Sequence, residues 1–409
     1  NNYSMLSKSA LYGSRGAIVQ RTTKRAYATQ KPKPKGSMSR SRKWGDDIFS
    51  RDTGSRVKNS LASGGRSSTT GLITTIFGNT GFLGRSLSAR LGRVGTQVVL
   101  PFRGEETKIR DYKVMGDLGQ IVPVRWDIRH YDSILNAVKH SEVVITAVDR
   151  QYPTKSFTYE EVLVNGPYLI AKACAEMGVK RLVHVSHICA SHDSPSEYYR
   201  LKKQGEDAVL AAFPQATIIK ACDLFGDGDT LLNNMGSMMA KWPLFMLTEP
   251  ERLYQPLWVN DLAEAVVRSI DMPSAAGKTY HVGGPVVYRE ADLVHYVRKE
   301  TGHYNRRISV IPWPIMYMMA KVQEKVFVLH PWQRRLNSSP LKETSDRIVP
   351  DEALSCKDLG MTQKSLLRVE ESAVDYLRRY RSEALLDELS QEQEAGRYYT
   401  PPEGPWPLV

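Results

Sequence analysis

Cysteine is scarce and unpaired. Cys174, Cys189, Cys222 and Cys356 stand singly in 409 residues, with no CxxC spacing. That argues against a disulfide framework and a structural zinc site, and a chain of this length needs neither to build a core. The nine histidines show neither HExxH nor clustered ligand spacing, so no metal is expected. Long hydrophobic runs are missing too. The apolar stretch Ile311–Val328 is broken by Pro312, Pro314, Lys321, Glu324 and Lys325. No window reaches the roughly 18 apolar residues of a membrane span.

Acid is scarce in one place only. Residues 1–70 hold 15 Lys/Arg and three acids (Asp46, Asp47 and Asp52), whereas the other 339 hold 41 of each sign. The net charge of +12 is therefore an N-terminal property. A basic chain invites a nucleic-acid partner. The neutral body, and the lack of aromatics interleaved in the manner of a nucleic-acid stacking platform, argue for no nucleic acid. Residues 1–27 carry Lys8, Arg15, Arg21, Lys24 and Arg25 without an acid, with Leu6, Leu11, Ile18 and Val19 between them. This is the composition of a mitochondrial transit peptide, not of a secretory signal. Arg25-Ala26-Tyr27-Ala28 resembles a matrix processing site. Residues 28–70 read as a basic extended arm and residues 382–409, acidic and then Pro-rich, as an extended tail.

From Gly71 onward, apolar runs alternate with helical periodicity. Strands are expected at Leu72–Phe77, Gln97–Leu100, Ile121–Val124, Val143–Val148, Arg181–Ser186 and Ala216–Lys220. Helices are expected between them, at Phe82–Gly92, Tyr131–Lys139, Tyr159–Met177 and Glu197–Phe213. The order predicts an α/β fold, with a Rossmann-like doubly wound parallel sheet over residues 71–226. Residues 227–381 are expected to form a smaller C-terminal α/β cap that completes a cleft. In it, Trp258–Ile270 enters a helix, Thr279–Val282 is a strand and Asp292–Glu300 a further helix. Asp261 is most simply a helix N-terminal residue. The Met/Tyr/Phe face of Ile315–Leu329 reads as core or a partner-docking surface in preference to a membrane-surface helix.

The first expected strand runs into Gly78-Asn79-Thr80-Gly81-Phe82-Leu83-Gly84 and then a helix. In such a loop the first glycine permits a tight turn and the second lets backbone approach a pyrophosphate. The third packs helix against strand, and the helix N-terminus offers free N–H groups and a positive dipole end. An NAD site places an acid at the end of the second strand. Here Leu100-Pro101-Phe102-Arg103-Gly104 supplies Arg103, suited to a 2′-phosphate, so NADPH is expected ahead of NADH. Asp127 follows the third strand, placed to accept from an adenine amino group, and Ala147 and Val148 end the fourth beside the adenine ribose.

These residues resemble the extended and atypical short-chain dehydrogenase/reductase superfamily. His184-Val185-Ser186-His187, Tyr198-Tyr199-Arg200-Leu201-Lys202 and Lys220-Ala221-Cys222-Asp223-Leu224-Phe225-Gly226 follow the glycine loop in the superfamily's order. With Phe213–Lys220 and the presequence, they are most similar to its branch of nucleotide-binding accessory subunits of mitochondrial respiratory complex I. An active reductase of the superfamily uses a Tyr as proton donor, a Lys four residues later that lowers the Tyr pKa and holds the nicotinamide ribose, and a Ser that aligns a carbonyl. The resemblance assigns these places to Tyr198, Lys202 and Ser186, as vestigial candidates; Tyr199 and Lys203 share the spacing. It adds Tyr198, Lys202 and Asp223 to the cofactor-binding set. Departures are His187 for a second Ser and Ala221 for a Pro.

The resemblance implies a subunit without turnover that holds NADPH as a structural cofactor. Its implied partners are other complex I subunits, and its place is peripheral, on the matrix side of the mitochondrial inner membrane. The C-terminal region is its possible contact with the membrane surface. The alternative is a mitochondrial NADPH-dependent reductase or epimerase acting on a small or lipid-like carbonyl.

Overall fold

A strand buried along its whole length needs a layer on each face, and β1 (Ile73–Phe77) buries all of its residues after the first. In the computed structural model, which describes residues 70–154, 156–327, 342–343 and 345–382, it lies mid-sheet. The chain divides into units Asn1–Ser55 and Arg56–Val409, and every described residue belongs to the second. The expected transit peptide, nearly all of the basic arm and nearly all of the tail lie outside the described residues.

The other strands of this sheet are β2 (Gln97–Phe102), β3 (Ile121–Arg125), β4 (Val143–Thr146), β5 (Arg181–His187), β6 (Thr217–Ala221) and β7 (Thr279–Val282). All seven run parallel in the order β7-β6-β5-β4-β1-β2-β3. The order reverses between β1 and β4, where a doubly wound sheet opens a crevice at its strand ends.

Helix α1 (Phe82–Val94) and helix α6 (Val259–Asp271) cover one face, joining Leu87, Leu91 and Val94 to Leu262, Ala263 and Val266. Glu264 locks the two together, accepting from Arg90 at 2.6 Å and from Arg268 at 2.8 Å. On the other face lie α2 (Tyr131–Val138), α3 (Gly166–Glu176) and α4 (Glu197–Ala212), with Ile134, Val138, Ile170 and Val209 buried. The helix expected at Tyr159–Met177 starts at Tyr159 and carries a π-helical turn, Glu161–Asn165, before α3.

One expectation is corrected. Thr279–Val282 and the helix after Trp258 do not belong to a cap: β7 extends the main sheet beside β6, and α6 packs on it. Both are strongly apolar on the side that meets the sheet, but which sheet a strand joins is set by a neighbour some sixty residues away. A second apolar cluster forms the smaller region. It joins α5 (Leu232–Lys241), α7 (Glu290–Thr301) and α9 (Val369–Leu377) through Leu232, Met239, Leu293, Val297, Ala373 and Leu377. A short parallel pair, Leu244–Leu247 with Arg307–Val310, flanks it. Asp261, in the first turn of α6, also accepts the Leu367 N–H at 2.9 Å and so pins the C-terminal segment. Helix α8 (Trp313–Phe327) buries Met316 and Ala320 and leaves Ile315, Met318, Met319 and Val322 exposed.

Candidate functional site

The loop between β1 and α1 is held by backbone too close for side chains. Gly78 has φ +87°, and a Cβ there would lie 2.3 Å from the Ala147 carbonyl. A Cβ on Gly84 would lie 2.3 Å from the Gly78 carbonyl. Gly81 donates its N–H to that carbonyl at 3.1 Å and starts α1 in an extended conformation. No acid stands in the first turn of α1. Its N–H groups, which lack partners within the helix, therefore keep their positive end. Asn79 is buried and Thr80 is exposed, while Phe82 and Leu83 are half-buried. The Asn79 carbonyl accepts from the Tyr112 hydroxyl at 2.6 Å, so the 3₁₀ segment Glu106–Met115 clamps the loop from outside. Tyr112 was not singled out in the sequence, because nothing local marks its reach across 33 residues.

At the end of β2, Arg103 stacks its guanidinium 4.4 Å from the centre of the Phe157 ring. Arg129 lies 4.2 Å from the same ring and 3.8 Å from Glu161. Two cations thus share one aromatic ring, a favourable but crowded cation–π arrangement. Asp127 is half-buried, its carboxylate accepting the Arg129 N–H at 3.0 Å. Ala147, whose N–H bonds to the Phe77 carbonyl, and Val148 are half-buried at the end of β4.

Helix α4 presents its two Tyr/Lys pairs in different directions. Tyr198 is buried and donates its hydroxyl to the Asp149 carboxylate at 2.7 Å, and Lys202 lies 3.4 Å from the same carboxylate. Lys202 also sits 5.4 Å from the centre of the Tyr198 ring. Burial, and then the Asp149 charge, push the Tyr198 phenol well above the usual tyrosine range. Beneath them on β5, burial and the Lys202 charge drive His184 down to about 3, so its imidazole is neutral. Ser186 is buried, its hydroxyl without a hydrogen bond among the described residues. Tyr199 faces the other way, its ring 5.0 Å from that of His187, and Lys203 pairs with Glu206 and Asp207.

Asp223 was expected among the cofactor ligands. Its carboxylate is engaged by Arg347, whose Nη1 donates to both oxygens at 2.9 Å. His187 accepts the Cys189 N–H at Nδ1, which leaves Nε2 to carry the proton, 3.6 Å from Asp223. Arg347 arrives on a segment that Glu343 anchors to the Ser194 hydroxyl. Arg347 and Asp149 are two further residues that the sequence alone does not mark. Neither belongs to a motif, and their partners lie 124 and 49 residues away.

The family described as RmlD substrate binding domain matches residues 73–321. A mouse (Mus musculus) protein named NADH dehydrogenase (ubiquinone) 1 alpha subcomplex subunit 9, mitochondrial, is 38% identical over 325 residues, covering 78% of this chain and 83% of the relative. The mitochondrial NADH-ubiquinone oxidoreductase 40 kDa subunit of Neurospora crassa is 35% identical, covering 79% and 84%. Among solved structures, the Escherichia coli NADPH-dependent quinone oxidoreductase QOR2, complexed with NADPH, superposes with a TM-score of 0.57. The overlap spans 74% of this chain and 99% of that one, and at 16% identity it shows the fold alone. By these matches over most of its length, the chain belongs to the family of subunit 9 of the NADH dehydrogenase (ubiquinone) alpha subcomplex, built on an RmlD-type reductase fold.

Proposed function

We propose that this chain is a non-catalytic accessory subunit of mitochondrial respiratory complex I. It holds NADPH as a structural cofactor, and it lies peripherally on the matrix side of the inner membrane with other complex I subunits as partners. The observation that carries the absence of turnover is the Tyr198–Asp149 hydrogen bond. A reductase needs the phenol to exchange a proton near working pH. Here burial and the carboxylate oppose ionisation, while Lys202, which would favour it, is paired with Asp149. The exposed strip Ile315, Met318, Met319 and Val322 suits a protein that is covered by partners. No described helix is long and apolar enough to cross a membrane.

NADPH is preferred to NADH because Arg103 and Arg129 crowd one ring, which sets two guanidinium groups where a 2′-phosphate would need them. Arg103→Ala is therefore expected to weaken NADPH binding by about tenfold or more, the worth of one charge-assisted hydrogen bond, with little effect on NADH. Titration with both nucleotides checks this; equal losses for the two would remove the 2′-phosphate assignment.

The assembly reading is tested by native electrophoresis of mitochondrial membranes. The chain is expected to migrate with a very large complex and to release NADPH on denaturation. A small soluble species that reduces a carbonyl at ordinary rates would instead establish the second reading, an NADPH-dependent reductase or epimerase. That reading draws on the preserved Tyr198–Lys202 spacing, and it requires Tyr198→Phe to abolish turnover without changing cofactor affinity.

A further inference from the structure

Asp149 stands two residues after the half-buried Ala147, on the loop leaving β4 at the switch in strand order. Its side chain is 38% exposed, so it meets the pair from the solvent side. Both carboxylate oxygens accept from the Tyr198 hydroxyl, at 2.9 and 2.7 Å, and the second also faces the Lys202 ammonium at 3.4 Å. Lys202 itself is only 11% exposed, so Asp149 is its nearby counter-charge. His184 below is neutral and adds no second cation beside Lys202. The two groups that would reach a nicotinamide ribose are thus already engaged by a carboxylate of the same chain, Tyr198 by hydrogen bonds and Lys202 by an ion pair.

We infer that Asp149 is a positioning residue that competes with the nicotinamide half of the dinucleotide for Tyr198 and Lys202. The inference rests on the dinucleotide reading above. Binding exchanges the contacts to Asp149 for contacts to ribose hydroxyls, so the nicotinamide half contributes little net affinity. The adenine half, seated on the glycine loop and Arg103, then carries most of it. A dinucleotide held in this way is anchored at one end, which suits a cofactor that is retained without reacting.

Two probes separate the halves of the site: NADPH, and adenosine 2′,5′-bisphosphate, which lacks the nicotinamide end. With the full chain, Asp149→Ala is expected to tighten NADPH about tenfold and to leave the bisphosphate within twofold of wild type. Asp149→Asn, which keeps the shape and removes the charge, is expected to fall between; it also serves if the alanine chain melts early. A purely structural role for Asp149 would move both probes together, and that result overturns the inference. So does an NADPH affinity that is unchanged or weaker while the bisphosphate still binds. If neither probe binds any of the three chains, the dinucleotide reading itself fails, and the competition with it.

Discussion

Gly78→Ala is expected to destabilise the chain by about 2–5 kcal/mol and to abolish dinucleotide binding. Two costs add. The first is conformational: φ at Gly78 is +87°, where an L side chain loses about 1–2 kcal/mol. The second is steric, because the new methyl would sit 2.3 Å from the Ala147 carbonyl and 2.9 Å from the Val148 nitrogen. Both obstacles are backbone, so relief requires β1 and the end of β4 to part. Gly104→Ala isolates the first cost, since Gly104 has φ +96° and nothing within 4 Å of its Cβ position. Thermal melts of the two variants, with NADPH titration of the first, make the comparison. The account fails if Gly78→Ala melts no earlier than Gly104→Ala.

The second large effect concerns the link between Asp223 and Arg347. Arg347→Met is expected to cost about 3–5 kcal/mol, the range for stranding one partner of a buried ion pair. Their side chains are 18% and 11% exposed, so little water can replace the guanidinium. Changing both, Arg347→Met with Asp223→Leu, should recover most of the loss, because a matched apolar pair leaves no stranded charge. A single variant that costs nothing, or a double variant that recovers nothing, would show that the pair is not the link. An acid limb follows from the same pair. Burial pushes the Asp223 carboxyl up, yet Arg347 and then His187 outweigh it and hold it well below the usual carboxylate range. The native state thus binds its proton more weakly than the unfolded chain. The stabilisation is complete at neutral pH and fades as pH falls below about 4. The doubly apolar chain should lack that share of the acid-side loss.

Much of the architecture was legible because it is local. The alternation from Ile73 to Ala221 announces parallel strands separated by helices, and Gly78, Gly81 and Gly84 stand where a strand must turn into a helix. Gly81 and Gly84 meet the backbone of Gly78 and Asn79 within a few residues, although the close approach of Gly78 to Ala147 joins distant parts of the chain. What was not legible is long-range. Asp149 looks like an ordinary loop acid until α4 brings Tyr198 and Lys202 against it. Asp223 reads as a loop-end ligand until a segment more than a hundred residues later delivers Arg347. Arg129 and Phe157 acquire meaning only together, around a ring that no motif records. The boundary drawn at Gly226 also ignored the return of α6 and β7, because period and composition identify an element but not its neighbour.

The late return of β7 also sets a clock. A chain that emerges from its amino end completes β6 long before Thr279–Val282 exists, and until then β6 has β5 on one side and nothing on the other. Its residues Thr217–Ala221 are all buried in the finished sheet, so the waiting strand is an apolar, unsatisfied edge of the kind that pairs with foreign strands. The delay lasts for the whole span that carries α5 and α6, and non-local parallel pairing is slow to form in any case. The most vulnerable moment in the life of this protein therefore comes before its last core strand has been made, and its quality control is a matter of timing as much as of stability.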